Sequence, residues 1–183
     1  MAKTILITGA SSGIGAGMAR EFAQKGYNLA ICARRLERLE TLKQELESKY
    51  GIKVIAKTLD VTHYDQVFEV FRAFKEEFGT IDRIIVNAGV GEGRRIGKGN
   101  FEINKATVET NFISALAQCE AAVEIFRAQN AGHLVMISSM RPRHAFSLPC
   151  KTNPKKTACN ASASHCREKI STCGSSAHAI SSW

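Results

Sequence analysis

The chain has 183 residues, of which 44% are hydrophobic, and its formal net charge is +8. This length suits one domain with its own core, and no apolar run is long enough to cross a membrane. Residues 141–183 hold seven Lys or Arg and one acid, Glu168, so they carry +6 of the charge and residues 1–140 only +2. Most of the net positive charge therefore lies in this tail, and it does not indicate a nucleic-acid-binding face on residues 1–140.

The amino-acid composition of the chain changes after Met140. All three prolines and four of the six cysteines come after this residue, and apolar periodicity stops there. We therefore place a boundary between Met140 and Arg141. At the other end, Met1-Ala2-Lys3 leads straight into an apolar run without a signal-peptide pattern, so we expect a cytoplasmic, reducing setting with free thiols.

A glycine-rich turn follows the first predicted strand. The apolar run Ile5–Ile7 predicts a buried parallel strand, Gly9, Gly13 and Gly15 come next, and a helical pattern begins at Ile14. Such a turn lets the backbone approach a pyrophosphate, and the free N–H groups of the next helix face its charge. The alternative is a tight turn that binds no ligand.

Strands and helices alternate along the rest of residues 14–137. The predicted helices are Ile14–Lys25, Arg35–Tyr50, Tyr64–Phe78 and about Asn104–Gln129. The further predicted strands are Asn28–Ala33, Lys53–Leu59, Ile84–Val86 and Leu134–Ile137. This order predicts an α/β fold, a doubly wound parallel sheet with helices on both faces, Rossmann-like and incomplete at its C-terminal side. The ligand crevice of such a sheet lies at the carboxyl ends of the strands.

The second predicted strand ends in Ala33, followed by Arg34 and Arg35. An NAD site usually has an acid at this point, which binds the ribose hydroxyls. Two arginines suit a 2′-phosphate instead, and an acid would repel it. The sequence therefore predicts NADP(H) rather than NAD(H) as the cofactor. The alternative is that both arginines are solvated residues at the start of a helix.

Several segments together resemble the short-chain dehydrogenase/reductase family. They are Thr8-Gly9-x-x-x-Gly13-x-Gly15, Asp60-Val61 after the third strand, and Asn87-Ala88-Gly89 after the fourth. The candidate cofactor-binding residues are Thr8, Gly9, Ser11, Ser12, Gly13, Ile14, Gly15, Arg34, Arg35, Asp60, Val61, Asn87, Ala88 and Gly89. The resemblance implies that Asp60 meets the adenine amino group and that Val61 packs on the ring. A plain helix N-cap is the competing interpretation of Asp60.

The resemblance also implies two catalytic residues, Asn111 and Ser139. Asn111 lies inside an apolar helix, and in the family this position holds a water of a proton relay; a satisfied buried amide is the alternative. Ser139 follows the fifth strand, and in the family this serine hydrogen-bonds the substrate carbonyl. The implied reaction is hydride transfer between NADP(H) and a small-molecule carbonyl or alcohol. The family's tyrosine would pass the proton, with a lysine four residues later.

This chain departs from the family at that tyrosine. Its only tyrosines are Tyr27, Tyr50 and Tyr64, all in the cofactor-binding half. The nearest counterpart of the Tyr-x-x-x-Lys pair has Cys159 in place of tyrosine and Ala163 in place of lysine. We therefore expect impaired turnover. The alternative function is a non-catalytic NADP(H)-binding or sensor protein.

Apart from the counterpart around Cys159 and Ala163, the tail departs from the family as it stands. Arg141–Phe146, back-translated and read one base later, can give Ala-Arg-Gly-Met-Pro, which is similar to the family, and Ser164–Lys169 can give His-Ile-Ala-Glu-Lys. We interpret the tail as the product of a reading-frame shift after Met140, or as a truncation. We predict a cofactor-binding domain over residues 1–140 and an irregular tail over residues 141–183.

The sequence argues against a metal site and a nucleic-acid partner, and it makes the family's homo-oligomer doubtful. Cys159, Cys166 and Cys173 recur every seventh residue, without the closely paired spacing of zinc ligands, so we predict no metal site. The tail has no aromatic or nucleic-acid-binding motif, so we expect no nucleic-acid partner. The family's homo-oligomer is doubtful for this chain, because the helix at about 104–129 would lack the neighbouring interface helix and keep an exposed, aggregation-prone apolar face.

Overall fold

A computed structural model describes residues 3–138 of the chain. Within this range the five strands are β1 (Thr4–Thr8), β2 (Asn28–Ala33), β3 (Val54–Thr58), β4 (Arg83–Val86) and β5 (His133–Met136). All neighbouring pairs are parallel, and the order across the sheet is β3-β2-β1-β4-β5. The predicted Rossmann-like fold is confirmed. Ser139 and the predicted tail lie outside the described residues.

The helices connect these strands and lie on both faces of the sheet. They are α1 (Gly13–Gln24), α2 (Leu36–Tyr50), α3 (Tyr64–Phe78), α4 (Phe101–Val108), a π-helical segment (Glu109–Ile113) and α5 (Ser114–Gln129). The sequence pattern predicted one helix over about Asn104–Gln129. The structure begins it three residues earlier and inserts the π-helical segment in its middle. No helix within residues 3–138 combines the length and apolar character that a membrane span requires.

Each face of the sheet has its own apolar core. Ile5 and Ile7 of β1 belong to the cluster that contains the buried faces of α1 and α2. Leu6, between them, belongs to the cluster formed with α3 and α5, where Phe71 and Phe74 are fully buried. This alternation follows from the period of two along a strand, and burial on both faces explains why the strands are continuous apolar runs.

Two apolar residues at the starts of helices are exposed. Ile14, at the start of α1, is 66% exposed, and Leu36, at the start of α2, is 43% exposed. Leu39, Leu42 and Leu46, which follow Leu36 at helical spacing, are buried. Both exceptions occur in the first turn of a helix, at the edge of the sheet where the chain leaves a strand. The helical period therefore identified the inner face but not the position at which packing begins.

Candidate cofactor-binding cleft

A cavity of about 330 Å³ opens at the carboxyl edge of the sheet, where β1, β2, β3 and β4 end. All the candidate cofactor-binding residues line it except Thr8 and Gly15. The other lining residues are Ala33, Leu59, Val90 and Thr110. The structure therefore brings together at one site residues that lie far apart in the chain, from Gly9 to Thr110.

Thr8 joins the ends of β1 and β4 beneath this cavity. Its side chain is fully buried, and its Oγ1 accepts hydrogen bonds from the backbone N–H groups of Asn87 at 3.0 Å and Ala88 at 3.1 Å. The Asn87 side chain returns a bond, from Nδ2 to the Thr8 carbonyl oxygen at 2.9 Å. Thr8 thus positions two cavity-lining residues, although it does not line the cavity itself.

Two glycines allow the turn after β1 to pack closely against the end of β4. Gly9 has φ +67°, and a Cβ there would lie 2.8 Å from the Ala88 Cα. A Cβ on Gly15 would lie 2.7 Å from Asn87 Nδ2, closer than real Cβ contacts. The space around these two positions is filled by the chain itself. They therefore shape the cleft through close backbone packing.

Gly13 differs from these glycines because it faces open space. It lines the cavity with φ +56°, and a Cβ there would meet nothing within 4 Å. Ser12, before it, is the N-cap of α1, but its side chain makes no capping hydrogen bond, and the first turn of α1 contains no acid. The first N–H groups of a helix have no intrahelical partner. The start of α1 has no side-chain cap, and Gly13 and Ile14 of its first turn line the cavity, so this helix start is a suitable cradle for an anionic group.

The hydroxyls of the glycine-rich turn are occupied by an arginine from α2. Arg35 Nη2 donates to Ser12 Oγ at 2.9 Å and to Ser11 Oγ at 3.2 Å. Arg35 itself is the N-cap of α2, directly after the end of β2. The glycine-rich turn and the β2 end therefore contact each other through residues that line the cavity, and this contact is positively charged.

Asp60 lines the same cavity. Burial acts to raise the pKa of this carboxyl, but hydrogen bonds from Thr62 and the charges of Arg34 and His63 outweigh it, so the pKa is lowered. Asp60 Oδ1 accepts from the Thr62 N–H at 3.1 Å and from Thr62 Oγ1 at 2.8 Å. The N-cap position of α3 is His63, which makes no side-chain capping bond. Asp60 is therefore an ionised group of the cleft and not the N-cap of α3.

Asn111 lies in the π-helical segment and contacts the loop after β4. Its Oδ1 accepts from the Val90 N–H at 2.8 Å, and its Nδ2 donates to the Val90 carbonyl oxygen at 2.7 Å. The amide is satisfied, as the alternative interpretation required, but the residue is exposed and not buried. Insertions of this helical type often occur at functional sites. The second predicted catalytic residue, Ser139, lies outside the described residues.

Sequence reasoning missed three residues that line the cavity: Leu59, Val90 and Thr110. Each is adjacent in sequence to a residue that was predicted, namely Asp60, Gly89 and Asn111. The sequence signal that could have identified them is therefore their position next to predicted site residues, because residues near a strand end can face the crevice. Cys32, at the end of β2, is fully buried, and burial raises the pKa of its thiol to about 12.

The described residues fit a dinucleotide. A glycine leaves the cavity surface open, an uncapped helix start faces it, and arginines stand at its mouth. Such a cleft offers N–H donors and positive charge to phosphates, and one ionised acid to a donor group. These features are observations of this chain and hold without reference to any relative.

Comparison with known proteins identifies similar sequences and structures. The profile of the family described as short chain dehydrogenase matches residues 3–166. An uncharacterized oxidoreductase of Mycobacterium tuberculosis is 54% identical over 137 residues, which are 74% of this chain and 54% of the relative. The NADP-dependent 3-hydroxy acid dehydrogenase of Schizosaccharomyces pombe is 36% identical over 155 residues, 82% of this chain and 60% of the relative.

Among solved structures, this chain is similar to an alcohol dehydrogenase from the archaeon Thermococcus sibiricus complexed with 5-hydroxy-NADP. The two share 33% sequence identity with a TM-score of 0.69, over 74% of this chain and 57% of that one. The chain thus spans between 54% and 60% of the length of these relatives.

Proposed function

This chain belongs to the short-chain dehydrogenase family, and on that premise we propose that it binds NADP(H) in the cleft at the ends of β1 to β4. The complete reaction would transfer a hydride between NADP(H) and a small-molecule carbonyl or alcohol. The bound nicotinamide would supply or accept that hydride. We further propose that the chain as printed performs this reaction poorly, because it contains no Tyr-x-x-x-Lys pair.

The observation that carries the proposal is the uncapped start of α1. Its N-cap Ser12 makes no capping hydrogen bond, and Gly13 and Ile14 of its first turn line the cavity. A pyrophosphate placed there would accept hydrogen bonds from backbone amides and be stabilised by the helix dipole. An ordinary structural turn gains nothing from leaving these groups uncapped.

The preference for NADP(H) over NAD(H) is supported by charge at the end of β2. Ala33 stands where an NAD site usually carries an acid, and Arg34 and Arg35 line the cavity next to it. A guanidinium binds a 2′-phosphate through paired N–H groups. The relative from Schizosaccharomyces pombe is named as NADP-dependent, which agrees with this assignment.

The adenine and nicotinamide ends would be held by the other predicted residues. Asp60 uses Oδ1 for Thr62, so its Oδ2 is the oxygen we assign to an adenine amino group, with Val61 against the ring. Asn87, Ala88 and Gly89 would run along the cofactor at the end of β4.

We assign the substrate side of the cleft to Asn111 and Ser139. Ser139 would donate a hydrogen bond to the substrate carbonyl. The Asn111 side chain is committed to Val90, so its backbone is the part of the residue that we assign to a relay water.

We also propose that residues 1–140 are the cofactor-binding domain and that residues 141–183 arise from a reading-frame shift after Met140. The family profile continues to residue 166, so the tail retains some family character. Sequencing the gene tests this directly: a family-like sequence in the alternative frame supports the shift, and its absence contradicts it. A cytoplasmic location agrees with the free thiols Cys32 and Cys119.

The function is tested by titrating the purified chain with NADPH and NADH, and by assaying it against carbonyl substrates. We expect saturable NADPH binding, weaker NADH binding and little turnover. Equal or tighter NADH binding would contradict the cofactor assignment, and ready carbonyl reduction would contradict the impairment.

A second candidate is a non-catalytic NADP(H)-binding or sensor protein. The observation that favours it is an intact cofactor cleft in a chain without the catalytic pair. It predicts stoichiometric NADPH binding with no turnover of any carbonyl substrate.

A further inference from the structure

Two fully buried polar residues lie just after the π-helical segment, at the start of α5. They are Ser114 and Gln118, and within residues 3–138 the only other buried polar residues are Thr4 and Thr8. A buried polar group destabilises the fold unless hydrogen bonds satisfy it, so such a group indicates a specific local arrangement. Neither Ser114 nor Gln118 is among the residues that line the cavity. Any role of theirs in the cleft must therefore be indirect.

Ser114 bonds two consecutive carbonyl groups of the π-helical segment. Its backbone N–H donates to the Glu109 oxygen, five residues earlier in the chain. In an α-helix that N–H would bond the Thr110 oxygen, four residues earlier. Here the Ser114 hydroxyl donates to the Thr110 oxygen instead, at 2.5 Å. One residue thus supplies both donors at the point where the helix accommodates an extra residue.

Gln118 fixes the direction of the Ser114 hydroxyl. Its Nε2 donates to Ser114 Oγ at 3.3 Å and to the Ser114 carbonyl oxygen at 3.1 Å. Because Oγ accepts a bond from Gln118, its own hydrogen stays directed at the Thr110 oxygen. The other amide atom, Gln118 Oε1, is buried and has no hydrogen-bond partner within residues 3–138. An unpartnered buried acceptor lowers stability, so core packing alone does not explain this glutamine.

The π-helical segment has no buried side chain that could hold it in place. Neither α4 nor the segment itself contains a buried residue. The first buried residues after the end of β4 are Ser114 and Ala115. The hydrogen bonds of Ser114 therefore take the place of side-chain packing in holding this turn of the helix.

The extra residue in this turn determines where Asn111 points. Without it, the residues before it would rotate by about 100° around the helix axis. Asn111 would then leave Val90, whose N–H and carbonyl it bonds at 2.8 Å and 2.7 Å. It also lies close to Gly89, where a Cβ would be 3.1 Å from Asn111 Oδ1. Gly89, Val90 and Thr110 all line the cavity, so the turn connects α5 to the wall of the cleft.

We propose that Ser114 and Gln118 are positioning residues that hold the π-helical turn, and that this turn keeps Asn111 against Gly89 and Val90 at the end of β4. They act through the backbone of the helix and not through contact with cofactor or substrate. The proposal deepens the proposed function and rests on it only for the role of Asn111 in the cleft. The contact itself belongs to the cofactor-free chain.

The test measures hydrogen exchange of the Val90 N–H by NMR in the cofactor-free full chain, together with urea unfolding. This amide is a direct reporter, because its acceptor is Asn111 Oδ1. Asn111→Ala removes the acceptor and gives the exchange rate of the unbonded amide. The variants under test are Ser114→Ala, which removes the hydroxyl, Ser114→Thr, which keeps it, and Gln118→Met, which removes both amide groups.

Thr107 provides a matched control in the preceding helix. Its Oγ1 donates to the Ile103 carbonyl oxygen, also four residues earlier, at 2.9 Å. Both residues belong to α4, which is regular α-helix. Thr107→Val therefore removes a hydrogen bond of the same type without affecting the π-helical turn, and it should change Val90 exchange by less than about twofold.

We expect Ser114→Ala to accelerate Val90 exchange about three- to tenfold, which corresponds to the loss of one positioning hydrogen bond. Gln118→Met should accelerate it about two- to fivefold while the urea midpoint stays unchanged or rises, because methionine has a similar shape and no unpartnered oxygen. Ser114→Thr should stay within about twofold of the unmodified chain, because a threonine hydroxyl can bond the same carbonyl. A merely structural role would lower the urea midpoint and leave Val90 exchange unchanged.

Several outcomes would overturn the proposal. Unchanged Val90 exchange in Ser114→Ala or in Gln118→Met would remove that residue from it. Equal acceleration in Thr107→Val would mean that losing any hydroxyl loosens this helix. Exchange as fast in Ser114→Thr as in Ser114→Ala would mean that side-chain size, and not the hydroxyl, holds the turn. If the unmodified chain does not bind NADPH in a separate titration, the proposed function fails, while the exchange rates still decide the positioning role.

Discussion

The segment from β1 to α3 and the segment from α4 to α5 bury their apolar helix residues to very different degrees. Phe71 and Phe74 of α3 are fully buried against the sheet. Phe101 at the start of α4 and Phe112 in the π-helical segment are 71% and 68% exposed, and Leu116 of α5 is 54% exposed. The same residue types at helical spacing therefore form a closed core in one region and an apolar surface in the other.

The difference comes from what each helix has to pack against. Helices α1 and α2 cover one face of β1 and β2, which are buried along nearly their whole length, and α3 packs on the other face with Phe71 and Phe74 in the core. Helix α5 packs on α3 and the ends of β4 and β5, whereas α4 has no buried residue at all. The cavity is thus lined mainly by residues of the closed region, and Asn111, which we assign to the substrate side, lies in the open one. This contrast can be tested by changing matched residues in the two regions.

The largest expected effect is on core packing. Phe71→Ala should lower the free energy of unfolding by about 3–5 kcal/mol, because it leaves a cavity in the core on the α3 face. Phe112→Ala, the same change on the exposed face, should alter it by less than about 0.5 kcal/mol. Urea unfolding of the two variants measures both values. Similar losses would mean that the π-helical segment is as well packed as α3.

A second prediction concerns the glycines of α1. Gly15→Ala places a Cβ 2.7 Å from Asn87 Nδ2, so the turn must shift, with a loss of about 1–3 kcal/mol of stability and of NADPH affinity. Gly17→Ala is the control, because a Cβ there meets nothing within 4 Å. In a helix it should stabilise the chain by up to about 1 kcal/mol. Equal effects of the two substitutions on unfolding would contradict the close packing of the cleft.

A third prediction concerns association through the open region. Exposed apolar surface promotes self-association, and Phe112 and Leu116 contribute to such a surface. The double variant Phe112→Glu/Leu116→Glu should shift the chain toward monomer in light scattering. Leu36→Glu, an exposed leucine of the closed region, should leave the distribution unchanged. An equal shift in both variants would show that net charge, and not this face, controls association.

The smallest expected effect is a pH dependence within the closed region. The folded-state pKa of Asp60 is lowered, so its contribution to stability is present at neutral pH and is lost as the pH falls through that folded pKa. Asp60→Asn should remove this contribution and flatten the acid side of the stability curve. Thermal unfolding between neutral and acidic pH measures it, with Glu76→Gln as an exposed control. An unchanged acid side in Asp60→Asn would contradict the assignment.

Much of the closed region could be predicted from local sequence. Apolar runs located all five strands within one residue of their observed ends, and the alternation of strands and helices predicted that the sheet is parallel. Gly9, Gly13 and Gly15 identified the turn. The π-helical segment could not be predicted, because its residues have the same helical periodicity as their neighbours and differ only in which carbonyl each N–H reaches. The position of Ile14, apolar yet exposed at the cleft, depended likewise on what packs beside it.

By itself the sequence determined the order of strands and helices, the glycine-rich turn and the positive charge after β2, because these depend on neighbouring residues and on backbone preference. Only the tertiary structure decided that Asn87 bonds Thr8, that Arg35 bonds the serines, and that the faces around Phe71 and Phe112 meet such different surroundings. Periodicity records which side of a helix is apolar. The elements that pack against that side are determined by contacts between residues far apart in the chain. Local sequence patterns do not predict those contacts.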